Sequence, residues 1–306
     1  VHPGHDHPVS FRQEALFYAG ISQLVDRCGA FIRASLAADQ AMLVAVAAPK
    51  IGWLGGDAEL VEFADMDVIG ANPARIIPIW QEFADRHVGR GARGIGEPIS
   101  PRRDPDELTE CQRHEALINV AFGSGPGWWL ACPYDTSALH PDVIEEARRS
   151  HPVISDGNGG HASDGYSEPA TPFAGPLPEP PVAPDELEFG VDGLAEVRAK
   201  VAAAAAVAGL DADQAADLVV AVSEVAANSV CHGGGNGLLR VWQERGAPVC
   251  EVQDRGLIEQ PLVGRIVPQH GQLGGRGLWL ANQLCDLVQI RCSAAGTIVR
   301  LRMRLS

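Results

Sequence analysis

The sequence predicts two α/β domains joined by a linker that is rich in proline, glycine and acidic residues. Three observations support this fold class. Residues 155–187 contain seven prolines, five glycines and neither lysine nor arginine, so they bury too little apolar surface to offset the entropy lost on ordering. In residues 1–154, apolar strand-like runs alternate with helical patterns. Residues 188–306 instead begin with two helices and continue with pairs of strands.

A parallel sheet covered on both faces is predicted for residues 1–154. A strand buried on both faces is apolar throughout, and AMLVAVAAP from Ala41 has this character. Further strands are predicted at LVEFADM from Leu60 and WWLACPYD from Trp128. Helical patterns begin at Ile21, Asn72, Asp106 and His140. Such an alternation is typical of open α/β sheets of the RecA or Rossmann type.

An α/β sandwich is predicted for residues 188–306. Two helices, starting at Leu194 and Asp211, are divided by Gly209, and the strands GLLRVWQERG and APVCEVQDRG follow as a pair. A third helix, LWLANQLCD, precedes the strands LVQIRCS and TIVRLRMRL. Packing the three helices on one face of a mixed sheet buries the apolar side of each element.

The composition argues against several classes of protein. A formal net charge of −15 opposes direct binding of nucleic acid, which depends on contacts of basic residues with phosphate. No run approaches the ~18 consecutive apolar residues that suggest a membrane span. The opening VHPGHDHP lacks the apolar segment of a signal peptide. The seven cysteines include no C-x-x-C pair, which favours reduced thiols. These features predict a cytoplasmic protein.

The most informative stretch of the second domain is SEVAANSVCHGG, which contains Glu224 and Asn228. A spacing of four residues places both side chains on one helix face, where they could hold a divalent cation and activate a hydroxyl group. Asp254, in QDRG, could accept a hydrogen bond from the exocyclic amine of adenine. The segment GGRGLWL from Gly274 places glycines and Arg276 before a helix, where free backbone N–H groups attract phosphate.

Each of these elements also has a purely structural interpretation. A Glu–Asn pair often lies on a solvated helix face, D-x-G is often a plain turn, and glycines before a helix often serve only as a cap. Their order along the chain distinguishes the two interpretations. A helical E-x-x-x-N, a strand followed by D-x-G, a loop, a glycine-rich helix start and a final G-T on a strand together favour a nucleotide site.

In this order the elements resemble those of the GHKL ATPase superfamily and, more closely, the bacterial anti-sigma-factor serine kinases that pair with STAS-domain anti-anti-sigma proteins. SEVAANSVCHGG is similar to the family's N box, QDRG to its G1 box and GGRGLWL to its G2 box, from about Leu187 to the C-terminus. The resemblance implies a GHKL (Bergerat) fold, binding of ATP and Mg²⁺, a STAS protein and a sigma factor as partners, and possible homodimers. It assigns Glu224 as the catalytic base and Asn228 as the Mg²⁺ ligand. Asp254 would contact adenine, and Gly256, Gly275 and Gly277 would line the phosphates. Gly296–Thr297 would be the last nucleotide contact.

Two departures from the family pattern bear on activity. Leu257 and Ile258 follow Gly256 where the G1 box has its second glycine. The sequence also lacks an upstream helical hairpin with a phosphoacceptor histidine, so a histidine kinase is not predicted. The leading hypothesis is a sensor-linked protein serine kinase that regulates a sigma factor. The alternative is a non-catalytic partner-switching module, in which nucleotide is a structural ligand or is not bound.

Four clusters in the first domain resemble the MEDS domain, a sensory module related to the RecA fold. They are DMDVIGANPARIIPIW, RGIGEPI, HEALIN and CPYD, followed by a His-Pro pair at His151. The resemblance runs from about Phe11 to Val153. It implies that the domain senses a small molecule, and it identifies no ligand.

A possible sensory pocket lies where one predicted strand ends. Cys132, Tyr134 and Asp135 are near the carboxyl end of that strand, and His114 and Glu115 on the preceding helix could face the same crevice. An organic ligand, a metal bound by His114, Glu115 and Cys132, and a structural cluster all remain open. The segment AAPKIGWLGG lacks the Lys-Ser or Lys-Thr pair of a P-loop, so Lys50 is expected to be an exposed loop residue.

Overall fold

The computed structural model describes residues 10–55, 60–125, 127–156, 159–167, 175–268 and 275–305. The chain divides into two compact units between Pro172 and Phe173, within the segment predicted to be a linker. Parts of that segment form strands: Gly160–Ala162 pairs in the sheet of the first unit, and the end of the segment begins the strand Asp185–Phe189 in the sheet of the second.

The first unit contains a seven-stranded sheet with the order β3-β2-β4-β5-β1-β6-β7. Neighbouring strands are parallel except for the last pair, β6 and β7, which is antiparallel. The strands are β1 (Arg12–Tyr18), β2 (Ala41–Val46), β3 (Glu62–Asp65), β4 (Ala92–Gly96), β5 (Trp129–Asp135), β6 (Val153–Ser155) and β7 (Gly160–Ala162). The helices are α1 (Gly20–Ala37), α2 (Ala48–Leu54), α3 (Met66–Ile69), α4 (Ile76–Arg86), α5 (Pro105–Phe122) and α6 (Pro141–Ser150), with a 3₁₀ turn at Pro73–Arg75.

Helices cover both faces of this sheet, as the sequence predicts. On β4, Ile95 packs in the same apolar cluster as Leu24 and Phe31 of α1. The two glycines beside Ile95 point to the opposite face because side chains alternate along a strand. There the ring of Trp80 from α4 lies so close that a Cβ would stand 2.7 Å from it at Gly94 and 2.8 Å at Gly96. The glycines therefore let a large aromatic side chain of α4 pack directly on the strand.

The second unit contains a five-stranded sheet with the order β11-β12-β10-β9-β8. All of its strand pairs are antiparallel, so the prediction of a mixed sheet is wrong. The reason is that β9–β10 and β11–β12 are hairpins and β8 runs antiparallel to β9. The strands are β8 (Asp185–Phe189), β9 (Gly237–Glu244), β10 (Ala247–Asp254), β11 (Leu287–Ser293) and β12 (Gly296–Arg302). The helices are α7 (Leu194–Ala208), α8 (Ala212–His232) and α9 (Arg276–Leu284), with a 3₁₀ turn at Val191–Gly193.

Helices α7, α8 and α9 pack with the sheet around one apolar core. Val201 of α7, Val222 of α8, Ala281 of α9 and Leu301 of β12 are buried together in it. Helix α8 begins with a reciprocal capping box between Asp211 and Gln214. Among the described residues, no helix has the length and apolar character needed to cross a membrane.

Candidate functional site

The second unit contains a cavity of about 470 Å³ between the carboxyl-terminal half of α8, the ends of β10 and β12, and the start of α9. This volume lies within the range of about 300–1,000 Å³ that is usual for small-molecule sites. Apolar side chains form part of its wall, and residues of the four predicted motifs form another part, together with Glu259 and Gln260 of the loop after β10. The apolar residues are Val225, Leu257, Ile258, Val263, Leu278 and Val299, and the predicted residues are Asn228, Asp254, Gly256, Gly275 and Thr297.

Asp254 is held in place at the end of β10 by two hydrogen bonds. One carboxylate oxygen accepts a bond of 2.6 Å from the Ser229 hydroxyl of α8, and the other accepts one of 2.7 Å from the backbone N–H of Gly256. Gly233, just after α8, lies against this carboxylate, and a Cβ there would overlap it. The sequence analysis missed Ser229 and Gly233, although both lie within the SEVAANSVCHGG stretch.

Thr297 stands directly opposite Asp254 in the β10–β12 register. Its hydroxyl donates a 2.8 Å hydrogen bond to the carbonyl oxygen of Gly256, which ties the turn after β10 to β12. The preceding residue, Gly296, has a φ of +129°, and a Cβ at this position would overlap the carbonyl oxygen of Asp254. Only glycine fits this close approach of two backbones.

Glu224 and Asn228 of α8 both lie against the first turn of α9. A Cβ built on Gly277 would stand 2.9 Å from Nδ2 of Asn228 and 3.1 Å from Oε2 of Glu224. The two side chains therefore share one face of α8, as their spacing predicts. Asn228 lines the cavity, and Glu224 lies one turn earlier on the helix.

Gly275 and Arg276 form the entry to α9. Gly275 has a φ of +81°, and no side chain within the described ranges caps the helix, so its first backbone N–H groups suit an anion. Arg276, the first residue of the helix, is exposed. Gly274, which begins the predicted G2 stretch, lies outside the described residues.

Together these features fit an adenine nucleotide with a divalent cation. The Asp254 carboxylate is an acceptor for an amine, and the apolar wall suits a flat ring. The start of α9 suits phosphate, and the amide oxygen of Asn228 is a hard donor of the kind that Mg²⁺ prefers.

Replacing Asp254 with asparagine tests this arrangement. The amide keeps the size of the carboxylate but loses its charge and one acceptor, and hydrogen bonds to charged groups are worth about 1.5–3 kcal/mol. We expect ATP affinity, measured by calorimetry, to fall by about 10- to 100-fold. Asp213→Asn, at an exposed position in the first turn of α8, is the matched control and should keep the affinity of the parent protein. Equal affinities of the two variants would contradict the assignment.

The predicted pocket residues of the first unit separate into two groups. Glu115, Cys132 and Tyr134 are buried with Gln13 of β1 and His151 on the α5–α6 side of the sheet. The Gln13 amide donates 2.8 Å to Glu115 Oε2 and approaches Cys132 Sγ at 3.8 Å. Burial raises the pKa of the Cys132 thiol well above its usual value. His114 is buried beside Glu115 on α5, but it is His151 whose ring nitrogen lies with the carboxylate and the thiol.

Asp135 belongs to the second group, which lines a cavity of about 260 Å³ with Lys50 and Glu97. Lys50 was expected to be an exposed loop residue, and this expectation is wrong. It lies in α2, where its Nζ contacts Glu97 Oε1 and Oε2 at 2.6 and 2.7 Å, and Tyr18 donates 2.7 Å to the same carboxylate. Burial raises the pKa of Glu97 although the Lys50 charge opposes this shift.

This smaller cavity lies at a topological switch point of the sheet. The chain leaves β2 towards β3 on one side and leaves β4 towards β5 on the other. The carboxyl ends of β2 and β4 are adjacent, and the cavity is lined by residues that follow each of them. Open α/β sheets bind their ligands at such points. This cavity is therefore a candidate for a sensory pocket, in addition to the group that contains Glu115, Cys132 and Tyr134.

Comparison with known families agrees with both halves of this description. Residues 14–152 match the MEDS family, the MEthanogen/methylotroph, DcmR Sensory domain. Residues 188–303 match the histidine kinase-like ATPase domain. The chain joins a MEDS domain to a histidine kinase-like ATPase domain. This result confirms the two-domain fold class and the resemblance of each half to its family.

Among solved structures, the chain is similar to the RsbU and RsbW domains of Rv1364c from Mycobacterium tuberculosis. The identity is 25% over 40% of this chain and 32% of that chain, with a TM-score of 0.30. The chain thus spans about a third of that protein's length. No curated protein matches the sequence.

Proposed function

We propose that the histidine kinase-like ATPase domain binds Mg-ATP and transfers phosphate to a serine of a STAS-domain anti-anti-sigma partner. One observation carries the proposal: Asn228, Asp254, Gly256, Gly275 and Thr297 line a single cavity, although they come from separate stretches of sequence. Glu224 of α8 lies beside this cavity, against Gly277 in the first turn of α9. The order of the four motifs, which is that of the anti-sigma serine kinases, supports the choice of serine as acceptor.

The residues divide the binding of Mg-ATP among them. Asp254, oriented by Ser229, accepts the exocyclic amine of adenine. Gly275, Arg276 and Gly277 receive the phosphates at the start of α9, where the helix dipole favours negative charge. Asn228 would hold Mg²⁺ through its amide oxygen, and the ion would supply positive charge beside the phosphates.

Glu224 acts on the incoming serine as a general base. Its carboxylate takes the hydroxyl proton as the serine Oγ forms a bond to the γ-phosphorus of ATP. The bond from this phosphorus to the β–γ bridging oxygen breaks, which leaves ADP and phosphoserine. Gly277 has no side chain, so the base and Asn228 can both approach the start of α9.

The proposed biological output is control of a sigma factor. The MEDS domain would sense a small molecule, and the ATPase domain would either phosphorylate the STAS partner or sequester the sigma factor. The alternative is a partner-switching module without transfer. It is favoured by Leu257 and Ile258, which line the cavity where the family pattern has its second G1 glycine.

The experiment is to mix the full chain with labelled Mg-ATP and candidate STAS proteins from the same genome. Label on a partner serine is the expected result. ATP binding without label on any partner would support the alternative. Absence of ATP binding would reject both the kinase and the nucleotide-dependent module.

A further inference from the structure

Three ligand-type side chains meet inside the MEDS domain. Glu115 of α5, Cys132 of β5 and His151 after α6 are each exposed by 1% or less. One donor atom from each lies within 4.8 Å of the other two. Three separate elements converge here although nothing in the proposed kinase reaction uses these groups.

The tautomer of His151 follows from its hydrogen bonds. Its Nδ1 lies 2.8 Å from the backbone carbonyl oxygen of Ala147 and 3.0 Å from the Ser150 hydroxyl. A carbonyl oxygen only accepts, so Nδ1 carries the proton. In the neutral ring, Nε2 then has a lone pair, and this atom faces Oε2 of Glu115 at 3.2 Å.

Two acceptors that face each other in a dry interior need a proton or a metal ion between them. Neither Nε2 of His151 nor Oε1 of Glu115 has a hydrogen-bond donor among the described residues. A proton on Nε2 would satisfy the ring and leave Oε1 of Glu115 unpaired. A metal ion would use the imidazole, the carboxylate and the sulfur together.

The surroundings of the cluster have the features of a metal site. Histidine ligands commonly donate their second N–H to a backbone carbonyl, as His151 does to Ala147. Ligating carboxylates are themselves held by hydrogen bonds, as Glu115 is by Gln13. The Gln13 side chain is fixed in turn, because its oxygen accepts from Asn119 Nδ2 at 2.5 Å.

We propose that Glu115, Cys132 and His151 bind one divalent transition-metal ion of the zinc class. A sulfur, an imidazole nitrogen and a carboxylate oxygen are the donors that Zn²⁺ selects over Mg²⁺ or Ca²⁺. Binding forms a metal–sulfur bond and releases the thiol proton of Cys132 to solvent. The site is independent of the nucleotide cavity and of the proposed kinase activity.

Three protein ligands leave a fourth position for water or a small signal molecule. Tyr134 packs against the cluster: its ring meets His151 edge-on with centroids 5.5 Å apart, and its hydroxyl has no partner among the described residues. Tyr134 and Cys132 are two residues apart on β5, so both project from the same face of the strand.

Titration of the chelator-treated full chain with Co²⁺ tests the proposal. We expect one ion per chain, the visible bands of four-coordinate cobalt, and a near-ultraviolet absorption from thiolate bound to cobalt. Zn²⁺ should displace the cobalt and abolish both signals. If the chelator-treated chain without substitutions does not bind Co²⁺ at a one-to-one ratio, the proposal is wrong.

Matched variants identify the sulfur ligand. Cys132→Ser should lose the near-ultraviolet absorption and weaken Co²⁺ binding by at least the roughly 10- to 100-fold that losing a ligand's hydrogen-bond partner costs. Cys28→Ser, which changes another buried thiol of the same unit, should keep both. Glu115→Gln removes the carboxylate and leaves the thiol, so it should weaken binding and retain the absorption. Persistence of the absorption in Cys132→Ser would overturn the assignment even if that variant is less stable.

Discussion

Glu224→Gln should lower phosphate transfer to the proposed STAS partner by about 10²- to 10⁴-fold, the range that a general base contributes. The glutamine side chain has the same shape as glutamate and fits against Gly277 in the same way, but its amide cannot accept the serine proton. ATP affinity should stay within about twofold, because Glu224 lies beside the cavity and Asn228 lines it. Single-turnover transfer of labelled phosphate gives the rate, and calorimetry gives the affinity.

Glu196→Gln is the control for this variant. Glu196 is an exposed glutamate in the first turn of α7, and its replacement should leave the transfer rate unchanged. An unchanged rate in Glu224→Gln would show that another group accepts the serine proton. A loss of ATP affinity in step with the rate would place Glu224 in nucleotide binding.

Lys50→Met should destabilise the MEDS domain by about 3–5 kcal/mol at neutral pH, the usual cost of leaving one member of a buried ion pair alone. The side chain of Glu97 is 4% exposed, and Lys50 is the cation that neutralises it. Methionine has a similar length, so packing changes little. Denaturant unfolding, monitored by a probe in the first unit, gives the free energy.

The pH dependence of this effect has a definite sign. Burial already raises the pKa of Glu97 above the ordinary glutamate value of 4.5, and loss of Lys50 raises it further. The folded variant then binds more protons than the unfolded chain above pH 4.5, so its stability falls as the pH rises. The difference between parent and variant should be small near pH 4 and largest at neutral pH.

The second lysine of the chain provides the control. Lys200 Nζ pairs with Asp185 Oδ2 at 2.6 Å, but the Asp185 side chain is 74% exposed. Exposed pairs contribute about 0–1 kcal/mol, so Lys200→Met should have a small effect with little pH dependence. Equal effects of the two substitutions would contradict the burial argument for Lys50.

The sequence was most informative where function depends on short, ordered motifs. Glu224 and Asn228 share a helix face because their spacing is that of one helical turn, and Asp254 follows a strand whose apolar run is unmistakable. Ser229 was not predicted, because a serine within a helix gives no sign of a partner 25 residues away. The contact depends on how α8 packs on β10.

The sequence analysis did not predict strands β1 and β4, whose residues depart from the usual apolar pattern of a buried strand. β1 is an inner strand of its sheet, but buried Gln13 and Glu14 interrupt its apolar pattern. β4 contains two glycines, which weaken strand propensity and are required by Trp80. β8 was not predicted, because it begins in the last three residues of the stretch assigned to the linker.

The residues of the predicted MEDS pocket divide between two clusters for a related reason. Asp135 and Tyr134 are adjacent in sequence, but neighbouring strand residues point to opposite faces, so they belong to different clusters. His151 was noted only as part of a motif, and the pattern gave no sign that its ring would reach Cys132. Lys50 was predicted to be exposed because its segment lacks the P-loop pattern. Its partner Glu97 is 47 residues further along the chain, so the local pattern could not indicate the ion pair.

Binding of Mg-ATP to the full chain tests the central claim most directly. We predict one nucleotide per chain by calorimetry, and a gain of about 2.7 kcal/mol in the free energy of unfolding of the ATPase domain at an ATP concentration 100 times the Kd. GTP should bind more weakly, because Asp254 accepts an amine that guanine does not present at that position. No heat of binding and no stabilisation at millimolar Mg-ATP would contradict the account.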